Sequence, residues 1–340
     1  MTTVTTIHPP AAGATLLLSR ADVERLLTPD ACMAAVEDAF RQHAHGKAPA
    51  PGILGLHARD GGFHIKAALL TLDQPYFAAK TNANFPQNGV RHGLPTIQGV
   101  VVLCEAVKGQ PLAVMDAISI TALRTAAATA VAAKYLARKG SHAAVICGCG
   151  VQAPAQLRAL LRVRSPGRVY AYDQNPEKAR SFASAMEAET MLPVAPVTDL
   201  PRAVAESDIV VTCTTARRYF ITREMVRPGT FVAGVGADNE DKQELDPALL
   251  AGSRLVTDLT EQCAAIGDLH HALAAGAMTR GDVHAELGEI VAGLKPGRTS
   301  DGEITVFDSS GTALQDVAAA AAVYRRAVER GEGSFFSFRT

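Results

Sequence analysis

Two glycines and an acid carry the most specific chemical signal in this sequence. Gly148 and Gly150 lie in Ala143-Ala-Val-Ile-Cys-Gly-Cys-Gly-Val-Gln-Ala153, and Asp173 ends Val169-Tyr-Ala-Tyr-Asp173, 25 residues after Gly148. Strand, tight turn, helix start and a second strand ending in a carboxylate together form the grip on a dinucleotide. Gly148 can adopt the backbone angles of an abrupt exit from a strand, and Gly150 keeps side chains away from the amides that meet a pyrophosphate. Asp173 would accept hydrogen bonds from the adenosine ribose and repel a 2'-phosphate, so NAD is expected rather than NADP. Ala153 stands at the third glycine position, which the pattern allows. The glycines alone fit a ligand-free turn equally well. What favours a cofactor is the strand before them, the helical spacing of Gln152, Gln156, Leu157, Leu160 and Leu161 after them, and the distance to the acid.

A nicotinamide cofactor needs a substrate anchor and a proton-transfer group beside it. Lys80 sits in the apolar, amide-rich stretch Phe77-Ala-Ala-Lys-Thr-Asn-Ala-Asn-Phe-Pro86, where a buried ammonium would need a partner. A strand-edge lysine facing water is the simpler reading. Arg124, in Thr121-Ala-Leu-Arg-Thr125, has no acid within four residues and suits a carboxylate held by two parallel hydrogen bonds, or else a solvated helix face. Asp238, in Gly234-Val-Gly-Ala-Asp238, follows a strand at the end of a parallel sheet where ligands bind. Acid–base catalysis, a turn and a helix cap all remain open for it. His270 and His271 are neighbours that point in different directions on a helix, and are taken as surface or packing residues.

The elements that must position these groups follow from periodicity. At 340 residues, two domains are expected, since single cores stop growing at about 250–300 residues. Ser19 and Asp30 read as helix caps, with helical spacing from Asp30 to a stop at Gly46. From Gly52 to about Asp116, short β-rich runs predict an antiparallel sheet. An alanine-rich helix from Thr121 to Arg138 leads into the strand at Ala143. Beyond Asp173, strands near Val194, 209–212, 230–235, 255–258 and 303–308 alternate with helices 176–188 and 200–206, which predicts a parallel sheet covered on both faces. A last helix, 314–330, is expected to pack back on the first domain.

Composition narrows the classes. With 48% hydrophobic residues, 20% charged residues and a net charge of -1, no basic surplus exists to neutralise phosphates, so nucleic acid is not an expected partner. No signal-peptide pattern opens the chain, and the apolar stretch from Ile118 to Ala133 is short and interrupted by Arg124, so a cytoplasmic location without a membrane span is expected. The Thr- and Pro-rich first dozen residues are expected to be a loose arm, or one ordered by another subunit. The six scattered cysteines read as reduced, mostly buried small hydrophobes, and no metal site is expected.

Several blocks in order resemble the ornithine cyclodeaminase and mu-crystallin family, nearest its alanine dehydrogenase and imine reductase branch. They are Lys80 with Pro86; Leu94-Pro-Thr96; Gly109-Gln-Pro-Leu-Ala-Val-Met-Asp116; Thr121-Ala-Leu-Arg-Thr-Ala-Ala127; Gly148-Cys-Gly-Val-Gln152; Gly236-Ala-Asp238 with Lys242-Gln-Glu-Leu-Asp246; and Val306-Phe-Asp-Ser-Ser-Gly311 with Gln315-Asp316. The resemblance implies an α/β fold: a Rossmann-like NAD domain over 133–314, and an α+β substrate-binding and dimerisation domain built from both chain ends, 1–132 and 315–340. It implies a homodimer that pairs sheets across the interface. It makes Lys80 and Arg124 the substrate-binding cations, with Lys80 also close to the chemistry, and Asp238 the acid/base. Thr96, Arg124, Gly148, Gly150, Val151, Gln152, Asp173, Thr214, Val235, Gly236, Lys242 and Ser309 would line the NAD site.

Two departures bear on the substrate. Cyclodeaminases carry a glutamate ahead of the substrate lysine to hold a distal ammonium, whereas this sequence reads Phe63-His-Ile-Lys-Ala-Ala68 and places His64 there. A family arginine near Pro51 has no equivalent, and Lys66 is the candidate to supply its charge. His64 and Lys66, two apart, share a strand face, either toward the substrate or toward water. The expected activity is NAD-dependent oxidation or reduction at the α-carbon of a small amino or imino acid. The alternatives are a cyclodeaminase-type lyase that converts ornithine to proline and ammonia, and an NAD-binding protein without turnover.

Overall fold

The computed structural model describes residues 13–338, so the expected N-terminal arm lies outside the described residues. The chain divides into two compact units, one running through Arg124 and resuming at Ala313, the other spanning Thr125–Thr312.

The first unit is a seven-stranded mixed sheet with helices on one face. Ser19 caps the helix Arg20–Leu26 in a reciprocal box with Asp22. The cap expected at Asp30 falls instead on Thr28, which accepts from the Ala31 amide, while Pro29 takes the first helical position of Pro29–Ala44. Proline's missing N–H has no intrahelical role there, so the Thr-Pro pair starts the helix two residues early. Five strands, Gly52–Ala58, Gly61–Thr71, Pro75–Asn84, Ile97–Glu105 and Pro111–Asp116, pair antiparallel in succession. Thr15–Leu18 adds parallel to the last, and Ser334–Phe336 closes that edge antiparallel to Thr15–Leu18.

Side chains alternate across this sheet, and the row Lys66, Lys80, Val101, Met115, Leu18 runs across its covered face. The neighbouring row, Ala68, Ala78, Leu103, Ala113 and Leu16, is wholly apolar and buried. Each large side chain there contributes roughly 1.5–3 kcal/mol relative to exposure. The helix Ala313–Arg330 packs on the strands Gly61–Thr71 and Pro75–Asn84 and on Pro29–Ala44. Its alanines, 318–322, let it approach closely enough to bury its first half all round. The opposite face of the sheet leaves Leu17, Phe63, Leu69 and Val100 exposed.

The second unit is built on an eight-stranded parallel sheet. Its order is Ala285–Glu286, Arg254–Thr257, Thr305–Asp308, Phe231–Gly234, Ile209–Thr212, Ala143–Cys147, Arg168–Tyr172 and Val194–Pro196. Ala-Ala-Val-Ile-Cys and Ile-Val-Val-Thr are buried along their whole length, the continuous burial that helices on both faces impose. Two short strands, Arg217–Ile221 and Gln243–Leu245, form a separate parallel ribbon. Among the described residues no helix is long and apolar enough to cross a membrane. All six cysteines are free.

Candidate functional site

The parallel sheet reverses its winding between Ala143–Cys147 and Ile209–Thr212, and ligands of open α/β sheets sit at the carboxyl ends of the strands at such a point. Gly148 leaves the first of these strands with φ +93°, its N–H donating to the Tyr172 carbonyl at 2.8 Å. A Cβ there would lie 2.7 Å from Thr214 Cγ2, so both angle and space demand glycine. Gly150 is different: it is exposed, and nothing of the protein lies within 4 Å of an added Cβ. The fold does not need glycine at that position, whereas a pyrophosphate approaching the backbone does.

The rest of this corner fits a dinucleotide. The helix Gln152–Leu160 begins after Val151 with no side-chain cap, which leaves its first N–H groups for a ligand. Gln152 Oε1 and Ser309 Oγ are buried polar atoms without a partner among the described residues. Asp173 receives the Cys149 N–H at 2.9 Å on Oδ2 and the Asn175 N–H at 2.8 Å on Oδ1. The carboxylate therefore grips the glycine turn itself, and each oxygen keeps a second lone pair for a ribose hydroxyl. Val235 donates its N–H to Thr212 and Ser309 to Gly234, each at 2.9 Å, placing both at the strand ends. Thr214 donates its N–H and hydroxyl to Glu244, and Gly236 its N–H to the same carboxylate.

Asp238 follows the strand Phe231–Gly234 and is exposed. Lys242 Nζ lies 2.6 Å from its Oδ1, an i,i+4 pair that holds two of the candidate residues together. His271 fixes the backbone of this loop, its Nε2 lying 2.9 Å from the Lys242 carbonyl, while His270 Nδ1 meets the Ala264 carbonyl; both histidines serve packing. Thr96 is exposed in the first unit, its carbonyl accepting the Phe85 N–H.

In the first unit, Lys80 Nζ and Arg124 Nε both donate to Asp316 Oδ1, at 2.8 and 3.0 Å, and Arg124 Nη1 donates to Gln315 Oε1 at 2.9 Å. Lys80, Arg124 and Asp316 are 3%, 5% and 1% exposed. Burial first, then the neighbouring Arg124 charge, pulls the Lys80 ammonium down to about 7. Burial pushes the Asp316 carboxyl up, but the charges of Lys80, Arg124 and Lys66 outweigh it and hold the group below its ordinary range. Asp316 Oδ2 and Gln315 Nε2 have no partner among the described residues. Lys66 stands directly opposite Lys80, and His64 opposite Asn82, on the same side of the sheet. The solvated alternatives for Lys80 and Lys66 do not hold, since both are buried. Asp316 and Gln315 had no role assigned from sequence. Their signal in the sequence is the Gln315-Asp316 pair among the blocks of the family resemblance, at the first turn of the helix Ala313–Arg330.

A second unit wound in this way, with this turn, is a dinucleotide-binding α/β domain. Comparison with known proteins extends that class. Residues 14–331 match the ornithine cyclodeaminase/mu-crystallin family, and the chain belongs to it. It is 42% identical over 325 residues to alanine dehydrogenase of Archaeoglobus fulgidus, covering 95% of this chain and 98% of the relative. A solved archaeal alanine dehydrogenase dimer with bound NAD superposes with a TM-score of 0.91 at 41% identity, covering 96% of this chain and 99% of the other. Delta(1)-pyrroline-2-carboxylate reductase of Thermococcus litoralis, solved with NADH and L-proline, superposes with a TM-score of 0.89 at 37% identity, covering 94% and 99%.

Proposed function

We propose that this protein is an NAD(H)-dependent oxidoreductase acting at the α-carbon of small amino or imino acids, working as a cytoplasmic homodimer. The observation that carries the reading is the pair of buried cations on one oxygen of Asp316. One carboxylate cannot neutralise two cations, so the arrangement calls for a second anion, and a substrate carboxylate supplies it. Relatives named for alanine and for pyrroline carboxylate place such substrates in the same family.

NAD supplies the acceptor or donor of hydride. The protein's own groups do the rest. Arg124 holds the substrate carboxylate with its planar fork, Lys80 adds charge and a donor, and Gln315 and Asp316 keep the guanidinium from rotating. Asp238, steadied by Lys242, takes the proton from the amine nitrogen or returns it to the imine. The exposed Leu17, Phe63, Leu69 and Val100 give the first unit's sheet an apolar face suited to a second copy, in line with the dimeric relative. Free cysteines throughout agree with a reducing compartment.

The test is incubation of purified protein with NADH, ammonia and a panel of 2-oxo acids including pyruvate and oxaloacetate, with pyrroline-2-carboxylate, and in parallel with NAD and ornithine. Net NADH consumption supports the reading. Proline and ammonia formed from ornithine without net cofactor change would overturn it in favour of a lyase, and no turnover in any arm would overturn it in favour of a binding protein.

A further inference from the structure

Glu244 is fully buried in the second unit and accepts four hydrogen bonds. Its Oε1 takes the Thr214 N–H and Thr214 hydroxyl, both at 2.6 Å; its Oε2 takes the Gly236 N–H at 2.7 Å and the Thr212 hydroxyl at 2.6 Å. All four of these donors are neutral groups. Thr214 and Gly236 belong to the loops that leave two neighbouring strands, Ile209–Thr212 and Phe231–Gly234. The first loop backs the glycine turn, since a Cβ on Gly148 would strike Thr214. The second continues into Asp238.

We propose that Glu244 is a positioning residue of the cofactor site, a carboxylate clamp that sets the spacing of the Thr214 and Gly236 loops and, through Thr214, seats the Gly148 turn. The inference rests on the assignment of that corner to NAD(H). Each oxygen of Glu244 receives one backbone N–H, which cannot turn round as a hydroxyl can. An amide in place of the carboxylate must therefore set its own NH2 against one of those N–H groups, whichever way it lies. Room for adjustment is lacking, because a Cβ on Gly236 would lie 2.4 Å from the Thr214 carbonyl oxygen and 2.5 Å from Glu244 Cδ. Glu244 is itself held, its N–H and that of Leu245 donating to Asp268 Oδ1 at 2.8 and 3.0 Å.

The test compares wild type, Glu244→Gln and Thr212→Val by NADH titration, by KM for NADH against KM for the 2-oxo acid, and by unfolding temperature without cofactor. Glu244→Gln should weaken NADH binding about tenfold and raise KM for NADH in proportion, with KM for the oxo acid within about twofold of wild type. Thr212→Val, which removes one donor and keeps the shape, should weaken NADH about threefold. Wild-type protein that does not bind NADH would refute the cofactor assignment itself. Wild-type binding with NADH affinity unchanged in a folded Glu244→Gln would refute the clamp alone. Where Glu244→Gln does not fold, Thr212→Val and Thr212→Val with Thr214→Val decide, and unchanged affinity in both overturns the proposal.

Discussion

Lys66 and Lys80 face each other directly across two antiparallel strands, both on the covered side of the sheet and 8% and 3% exposed. Like charges opposite one another destabilise a sheet, and burial raises the cost. The Asp316 carboxylate, set down by the helix Ala313–Arg330, pairs with Lys80 at 2.8 Å and also feels the charge of Lys66. Lys80 and Arg124 meanwhile share a single oxygen of Asp316, an arrangement suited to a second anion.

Lys80 is depressed from 10.5 to about 7, burial being the main cause and Arg124 the next. A depressed group contributes stability that is complete above its unfolded value and is lost as pH falls through the folded one, here between 10.5 and about 7. A bound carboxylate favours the ammonium and reverses the trend. Above pH 7, substrate binding should take up a proton, and kcat/KM should fall by up to about tenfold per pH unit. Lys80→Arg stays charged and should lose that alkaline limb; a limb that persists in this variant has another source.

Asp316→Asn leaves two buried cations without their carboxylate. It should lower folding stability by about 3 kcal/mol, as breaking a buried pair does. Because a small carboxylate can take the vacated role, pyruvate should stabilise this variant more than wild type. Thermal unfolding with and without pyruvate checks it, and an equal shift in both proteins counts against an anion site.

Two glycines in one turn should respond differently. Gly148→Ala meets both a positive φ and Thr214, and should lose about 1–3 kcal/mol of stability along with NADH affinity. Gly150→Ala meets no protein atom and should unfold like wild type while binding NADH at least about tenfold more weakly. Calorimetry beside NADH titration separates the two; full affinity in the Gly150 variant means that no phosphate passes there.

Asp173→Ser removes the charge that opposes a 2'-phosphate and leaves one oxygen where two had accepted the Cys149 and Asn175 N–H groups. NADH affinity should fall about tenfold while the preference over NADPH narrows by a similar factor. Competitive titration of the two cofactors measures both, and an unchanged ratio would show that discrimination lies elsewhere.

Asp238→Asn keeps size and polarity but cannot exchange a proton. A loss of about 10²–10⁴ in kcat with near-normal NADH affinity is expected. Full activity in this variant sinks the role given to Asp238.

Much of this was legible because local pattern and tertiary structure agree. The strand 209–212 and the helix 200–206 are bounded by sharp changes of period, and the sequence reading places them to the residue. The strand Gly61–Thr71, at 11 residues, is longer than the short β-rich runs expected between Gly52 and Asp116, since Lys66 and its alanine neighbours blur the alternation. The ribbon Arg217–Ile221 with Gln243–Leu245 carries arginines on exposed positions and shows no strand period. At the site, glycine geometry is local and therefore readable. The meeting of Lys80, Arg124 and Asp316 is not, because it depends on a helix that begins 233 residues after Lys80 and returns to the same sheet.

That return shapes how the protein comes into being. The second unit is contiguous and can fold as soon as residue 312 is made, whereas the first stays incomplete until Ser334–Phe336 pairs with Thr15–Leu18. Until Ala313–Arg330 arrives, a nascent chain holds Lys66 and Lys80 on strands that lack the Asp316 carboxylate. The first unit is thus the last to be completed, because one edge strand and a covering helix come from the far end of the chain while the five strands from Gly52 to Asp116 pair in succession.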